Sequence, residues 1–389
     1  MNSIQFSSRN LATKDFMHIK DFRKVDLKKS REILANMYAN IKEIDESFEY
    51  SIDWERSTSQ YLADAANYYD RVIIKQKHGD FSNETTALIP ALIDDNYFIL
   101  NGSTYVPLLF LEKAPIDRIY NEEDGKNKIF ININAVYNFT FDFQKGTIQF
   151  RSKQISLDVF FRVFFQNDPD YLQELKELGL ISKLTFNKED QRKFVKGFLD
   201  FYKWENFNDI DVPAWMDRYL LLDYYREIFE DYYSVDNLFD IVKKVIEYYV
   251  DKTVIDMADL HNRRVVLTEY LIRPLLEMYI RLLYGIVDKK GQNFLPTLNE
   301  YAVMTTGFNK LLHRGQLYDI SLPFALPLIN KVSQDIQIIK QGRLPKSWQR
   351  NDASSFGRIC PITVSPQNMG SNLVFTSTTL INKYGKIKF

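Results

Sequence analysis

The sequence predicts a multidomain α+β protein, and two observations carry that prediction. Apolar residues recur with a helical period near the start and again over a long central block, but with a two-residue period in between. At 389 residues with 45% hydrophobic content, the chain is also long enough to build more than one core. From Lys29 to Phe48, Ile33, Leu34, Met37, Tyr38, Ile41, Ile44 and Phe48 fall on one helical face, with Ser30 as the expected cap. A second helix is expected over Gln60–Ile74. Tyr97–Leu100 and Tyr105–Leu111 then read as a hairpin, because Asn101-Gly102 between them supplies the positive φ of a type I′ turn. Strands follow at Lys128–Ile133 and Val136–Phe143, and a turn at Lys145-Gly146 precedes Thr147–Arg151. Ser156–Glu247 is expected to be mainly helical, its Phe and Tyr stripes serving as core. A further helix is expected through Tyr270, Leu275, Met278 and Leu283. At the end of the sequence, Lys386-Ile387-Lys388 reads as a strand. If unpaired it would expose an edge and an apolar face, so a separate polypeptide is expected to complete its sheet.

Composition limits the function classes. The net charge of −1 argues against a protein that coats nucleic acid by itself, since duplex binding rests on cations neutralising phosphates. Cys360 is the only cysteine, which excludes an internal disulfide and a cysteine-based zinc site and fits a reducing compartment. The N-terminus mixes Lys14, Asp15, Lys20, Asp21, Arg23, Lys24 and Asp26 with isolated apolar residues and resembles no signal peptide, so a cytoplasmic protein is expected. Histidines His18, His78, His261 and His313 show no metal-ligand spacing, and His261 is expected to cap or pack. Neither a phosphate-binding G-x-x-x-x-G-K-[ST] loop nor a G-x-S-x-G elbow occurs. The acidic groups Asp94-Asp95, Glu122-Glu123-Asp124 and Asp209-Ile210-Asp211 are expected on the solvated surface, so the chain alone is expected to have no catalytic residues.

A cluster near the end of the sequence suits contact with nucleic acid. Contact that does not read base sequence needs cations and amides aimed at phosphates and sugars. Arg343, Lys346, Arg350 and Arg358 supply the cations, Gln316, Gln349 and Asn368 the amides, and Pro345, Pro361 and Pro366 stiffen the loops.

Stretches in order along the chain resemble one family. Phe356-Gly357-Arg358-Ile359-Cys360-Pro361-Ile362, then Asn368-Met369-Gly370, and Asn382 with Tyr384-Gly385 are similar to the Y-G-R-I-C-P-I, N-I-G and N-E-Y-G elements of the β subunit of multisubunit DNA-directed RNA polymerases. Asp259-Leu260-His261-Asn262-Arg263-Arg264-Val265 resembles that family's H-L-G-N-R-R-V, and Tyr97–Val106 its F-I-I-N-G strand. The deletion within Thr363–Gln367 and the short chain resemble the split β subunits of giant bacteriophages.

The resemblance implies an N-terminal β portion with the protrusion in 1–135 and 251–335, the lobe in 136–250, and the fork with the start of the hybrid-binding core in 336–389. It implies that Arg358 and Asn368 approach the growing RNA and that His313–Tyr318, with Arg314 and Gln316, occupies the place of S-Q-L-S-Q-F-M-D. Asn330–Gln334 departs from the family's T-H-K-R-R-L-S. Catalytic Mg2+ is expected in the assembled enzyme on the N-A-D-F-D-G-D loop of a β′-like subunit, not on this chain. The implied partners are a C-terminal β fragment, the β′-like subunit, DNA template, RNA transcript and a promoter-specificity factor. A different class of function is a non-enzymatic nucleic-acid-binding or scaffold protein derived from the same fold.

Overall fold

The computed structural model describes residues 16–62, 65–91, 98–100, 103–107, 109–121, 126–133, 138–199, 211–256, 258–266, 269, 272–288, 317–319, 335–338, 352–360 and 372–389. Strand β1 (Phe16–His18) leads directly into helix α1 (Ile19–Ile44). Ile33, Leu34, Met37, Tyr38 and Ile41 are buried along α1 as their spacing predicts. Ser30, however, is buried in the middle of the helix rather than at its start, because the apolar face already begins at Ile19 and Phe22.

The helix expected over Gln60–Ile74 is instead part of a hairpin. Strands β2 (Phe48–Leu62), β3 (Ala65–His78) and β4 (Phe81–Pro90) form an antiparallel sheet in that order. The apolar residues at 69, 72 and 73 satisfy a helical template, yet burial follows period two. Val72, Ile74, Gln76 and His78 are buried while Lys75 and Lys77 are exposed. The β-branched run Val72–Ile74 favours the pleated state, and pairing on both sides of β3 settles it.

Strands β5 (Phe98–Leu100) and β6 (Ser103–Pro107) form the expected hairpin, with Leu100 opposite Ser103. Its Asn101-Gly102 turn lies outside the described residues. After β7 (Leu109–Lys113) come β8 (Ile116–Asn121), β9 (Lys126–Asn132), β10 (Asn138–Asp142), β11 (Thr147–Phe150) and β12 (Lys153–Ser156). These last five make an antiparallel sheet of order β12-β11-β10-β9-β8. It runs across the domain boundary expected between 135 and 136. Because β9 and β10 share a hydrogen-bonded ladder, the unit that carries the helical block begins no later than β8.

Ile129, Ile131, Phe139, Phe141, Ile148 and Phe150 line the inner face of this sheet and are fully buried. Phe139 stacks on Phe198 at 5.8 Å, and Phe141 meets Phe160 edge-on at 5.7 Å. The helices above it start where side chains satisfy their first amides. Ser156 caps α2 (Leu157–Phe164), Asp168 caps α3 (Pro169–Glu177), and Asn187 with Asp190 forms a capping box on α4 (Lys188–Phe194). A π-helical turn, Val195–Leu199, extends α4. Asp211 caps α5 (Val212–Leu220), which is followed by α6 (Asp223–Tyr233) and α7 (Leu238–Val250), the latter capped by Asn237. Asp211 is exposed, as expected; the other members of the acidic groups lie outside the described residues.

A buried ion network ties α2 to α4. Arg162 donates to Asp190 Oδ2 at 2.6 Å and to Asp158 Oδ2 at 2.7 Å, while Ser182 N donates to Asp158 Oδ1 at 2.5 Å. Partial burial works against ionisation of Asp158, but the Ser182 amide and the Arg162 guanidinium outweigh it and hold the carboxyl below its ordinary 3.8. A depressed folded-state pKa contributes stability that is complete above the unfolded value and disappears as pH falls through the folded one. Acid titration of the helical signal is therefore expected to show stability lost below pH 3.8, with a smaller loss in Asp158→Asn. Identical acid profiles would refute it.

Past α7, β13 (Arg263–Val266) and α8 (Arg273–Asp288) precede β14 (Leu317–Asp319), β15 (Asp335–Ile338), β16 (Asn372–Val374) and β17 (Leu380–Asn382). Late strands join early ones. One sheet has the order β13-β7-β15-β16, another β14-β6-β5, and β17 pairs with β1. In sequence, the helical block is thus inserted between two segments that share sheets.

The strand-like Lys386–Lys388 is paired within the chain, contrary to expectation. Ile387 bridges Ile381, Lys386 bridges Arg264, and Ile387 is 1% exposed. The apolar residue that was to need an outside cover is covered by β17 and its neighbours.

Candidate nucleic-acid interface

Three stretches far apart in sequence, Asp259–Val265, Phe356–Cys360 and Asn382–Gly385, come together around one junction. Its centre is the turn after β17. Asn382 Oδ1 accepts the amides of Tyr384 at 3.0 Å and Lys386 at 2.9 Å, closing a side-chain-to-backbone turn. Gly385, at φ +88°, then brings its carbonyl to Val265, whose amide donates to it at 2.8 Å. A Cβ at Gly385 would lie 2.0 Å from the Val265 oxygen, so only glycine allows this approach. From the other side, Asn382 Nδ2 donates to Asp231 Oδ2 at 3.0 Å, and Tyr232 OH donates to the Arg263 carbonyl at 2.9 Å. The end of α6, β13 and the turn are thereby locked together.

The Phe356–Cys360 stretch joins the same junction. Leu260 N donates to Ser354 Oγ at 2.9 Å, Cys360 N to the Val374 carbonyl at 2.7 Å, and Thr376 N to the Arg358 carbonyl at 2.7 Å. Arg358 is half-buried. Its Nε donates to the Lys388 carbonyl at 2.8 Å and its Nη1 to the Phe356 carbonyl at 3.1 Å, with the guanidinium 4.2 Å from the centre of the Phe389 ring. The opposite partner of Phe389 is His261, stacked at 3.5 Å, so that histidine packs as expected. Arg358 accordingly holds Lys388 and Phe389 against the motif.

Of the predicted contact residues, only Arg358 is described. Arg314, Gln316, Arg343, Lys346, Arg350, Pro366 and Asn368 lie outside the described residues, as do Pro345, Gln349 and Pro361. Beside Arg358 an open groove of about 300 Å³ is lined by Gly357, Thr378, Leu380, Lys388 and Phe356, which is 81% exposed. Among the described residues, no group of His, Cys, Asp and Glu could hold a metal ion. No helix among them is long and apolar enough to cross a membrane.

No family model matches this chain. Nor does any curated protein match it.

Beneath the junction lies a buried charge network that reading the sequence missed. Arg264 forms an ion pair with both oxygens of Glu269 and lies 3.7 Å from Glu112, and Tyr225 OH donates to Glu269 Oε2 at 2.5 Å. Burial alone would disfavour the Arg264 cation, but Glu269 chiefly, with Tyr224, Tyr225 and Glu112, more than compensates, so its pKa stays well above the ordinary value. Burial pushes its neighbour Arg263 down to about 10, with Asp117 and Asp256 opposing the shift. Glu269 carried a readable signal: a lone carboxylate within an apolar stretch just after two arginines. Asp231 carried none, because its partner Asn382 is distant in sequence.

Proposed function

We propose that this chain is the N-terminal part of a β subunit of a multisubunit DNA-directed RNA polymerase, helping to form the nucleic-acid cleft and to grip the RNA–DNA hybrid. The observation that carries the reading is the junction itself. Asp259–Val265 and Asn382–Gly385, which resemble the family as separate stretches, bond directly to one another, Phe356–Cys360 is tied in through the neighbouring Ser354 and through Lys388, and Gly385 occupies a place only glycine fits. Insertion of the helical block between segments that share sheets also suits a lobe inserted in a discontinuous protrusion.

On this reading the remaining β sequence and a β′-like chain assemble with it, and the β′-like chain supplies the carboxylates for Mg2+. Two metals there would stabilise the attacking 3′ oxygen and the leaving pyrophosphate. The test is affinity purification from the native source, with identification of partners and a nonspecific transcription assay. Magnesium-dependent RNA synthesis co-eluting with further β sequence and a metal-loop chain is expected. Recovery of an inactive chain alone would favour a scaffold protein. In the active assembly, Arg358→Ala is expected to reduce the salt resistance of stalled complexes while all subunits still co-purify; unchanged resistance would remove Arg358 from the hybrid-gripping set.

A further inference from the structure

The structure assigns a second binding site, in the helical block, to an acidic, aliphatic peptide segment of a partner protein. The site is a groove of about 650 Å³ between β12 and the α4–π-helical turn. Its floor is Ile155 and Val159, and its rim carries Arg192, Lys193 and Lys196.

Three features converge there. First, the wall is the π-helical turn Val195–Leu199, a rare geometry that recurs at functional sites. Gly197 faces the strand so closely that a Cβ would sit 3.3 Å from Ile155 Cγ2, so the missing side chain lets the turn pack directly beside the floor. Second, β12 is the outermost strand of its sheet, pairing only with β11 among the described strands. An outer strand can accept an extended segment through its backbone. Third, the rim charge is one-sided. Lys193 pairs with Glu189 at 2.8 Å, which leaves the exposed Arg192 and Lys196 as net positive charge over an apolar floor. Alternating carboxylates and aliphatic side chains match that arrangement. Among the described residues no aromatic ring lines the groove to stack a base, so nucleic acid fits it less well. The inference stands independently of the polymerase reading.

The test uses the full chain and a fluorescein-labelled peptide that alternates Glu with Val, measured by fluorescence anisotropy. Saturable binding is expected, with no binding of the Lys–Val counterpart. The double variant R192E/K196E should weaken it by about tenfold or more, with unchanged circular dichroism. Val159→Trp, which fills the floor without altering charge, should weaken it to a similar degree. Failure of the wild-type chain to bind would overturn the proposal, as would R192E/K196E or Val159→Trp binding like wild type. A single-stranded thymidine oligonucleotide that displaces the peptide at lower concentration would overturn it in favour of a nucleic-acid surface.

Discussion

Gly385→Ala is expected to destabilise the protein by about 3 kcal/mol or more, a large effect for removing no contact. A left-handed backbone costs an L-residue about 1–2 kcal/mol. The rest comes from overlap, since the new methyl would lie 2.0 Å from the Val265 oxygen. That oxygen belongs to a strand whose own ladder to β7 pairs Val265 with Leu111 and Arg263 with Lys113, so it cannot retreat without breaking the sheet. Denaturant titration should show a lower midpoint, and hydrogen exchange should show lost protection at the Val265 amide, which donates to Gly385. Retained protection there, with an unchanged midpoint, would mean that the close approach is not made in solution.

Glu269→Ala should cost about 3–5 kcal/mol, because it leaves the Arg264 guanidinium buried without its main counter-charge. Arg264 is 1% exposed and cannot turn to water, and Tyr225 loses its acceptor at the same time. Replacing both ions, as Arg264→Met with Glu269→Leu, should recover most of that loss, since the desolvation cost disappears with the charges. A double-mutant cycle on unfolding free energies checks this. Strictly additive losses would show that the two side chains do not act as a pair.

Much of the architecture was legible from local pattern. The α1 face, the β5–β6 hairpin, strands β9 to β11 and the helical block follow from periodicity and turn residues that act over a few residues. The helix expected over Gln60–Ile74 failed because a short apolar window satisfies both periods, and only the partner strands β2 and β4 distinguish them. The strand expected at Lys386–Lys388 is only a pair of isolated bridges, at Lys386 and Ile387, and its pairing was not read. Its partners are Leu380–Asn382 and Arg264, and nothing near Ile387 in sequence names the second of these.

Sequence alone determined the α+β class, the apolar faces of α1 and of the helical block, and the order of the stretches on which the proposed function rests. These depend on steric preference, periodicity and residue order, all of which are local. Only the tertiary structure decided that Asp259–Val265 and Asn382–Gly385 bond to one another, that Gly385 is needed for their close approach, and that Arg358 bonds to the Lys388 carbonyl. It also decided that Arg264 and Glu269 share a buried site. Each of these depends on what the folded chain brings within a few ångströms, where overlap and desolvation dominate the energy, and residue spacing does not encode that proximity.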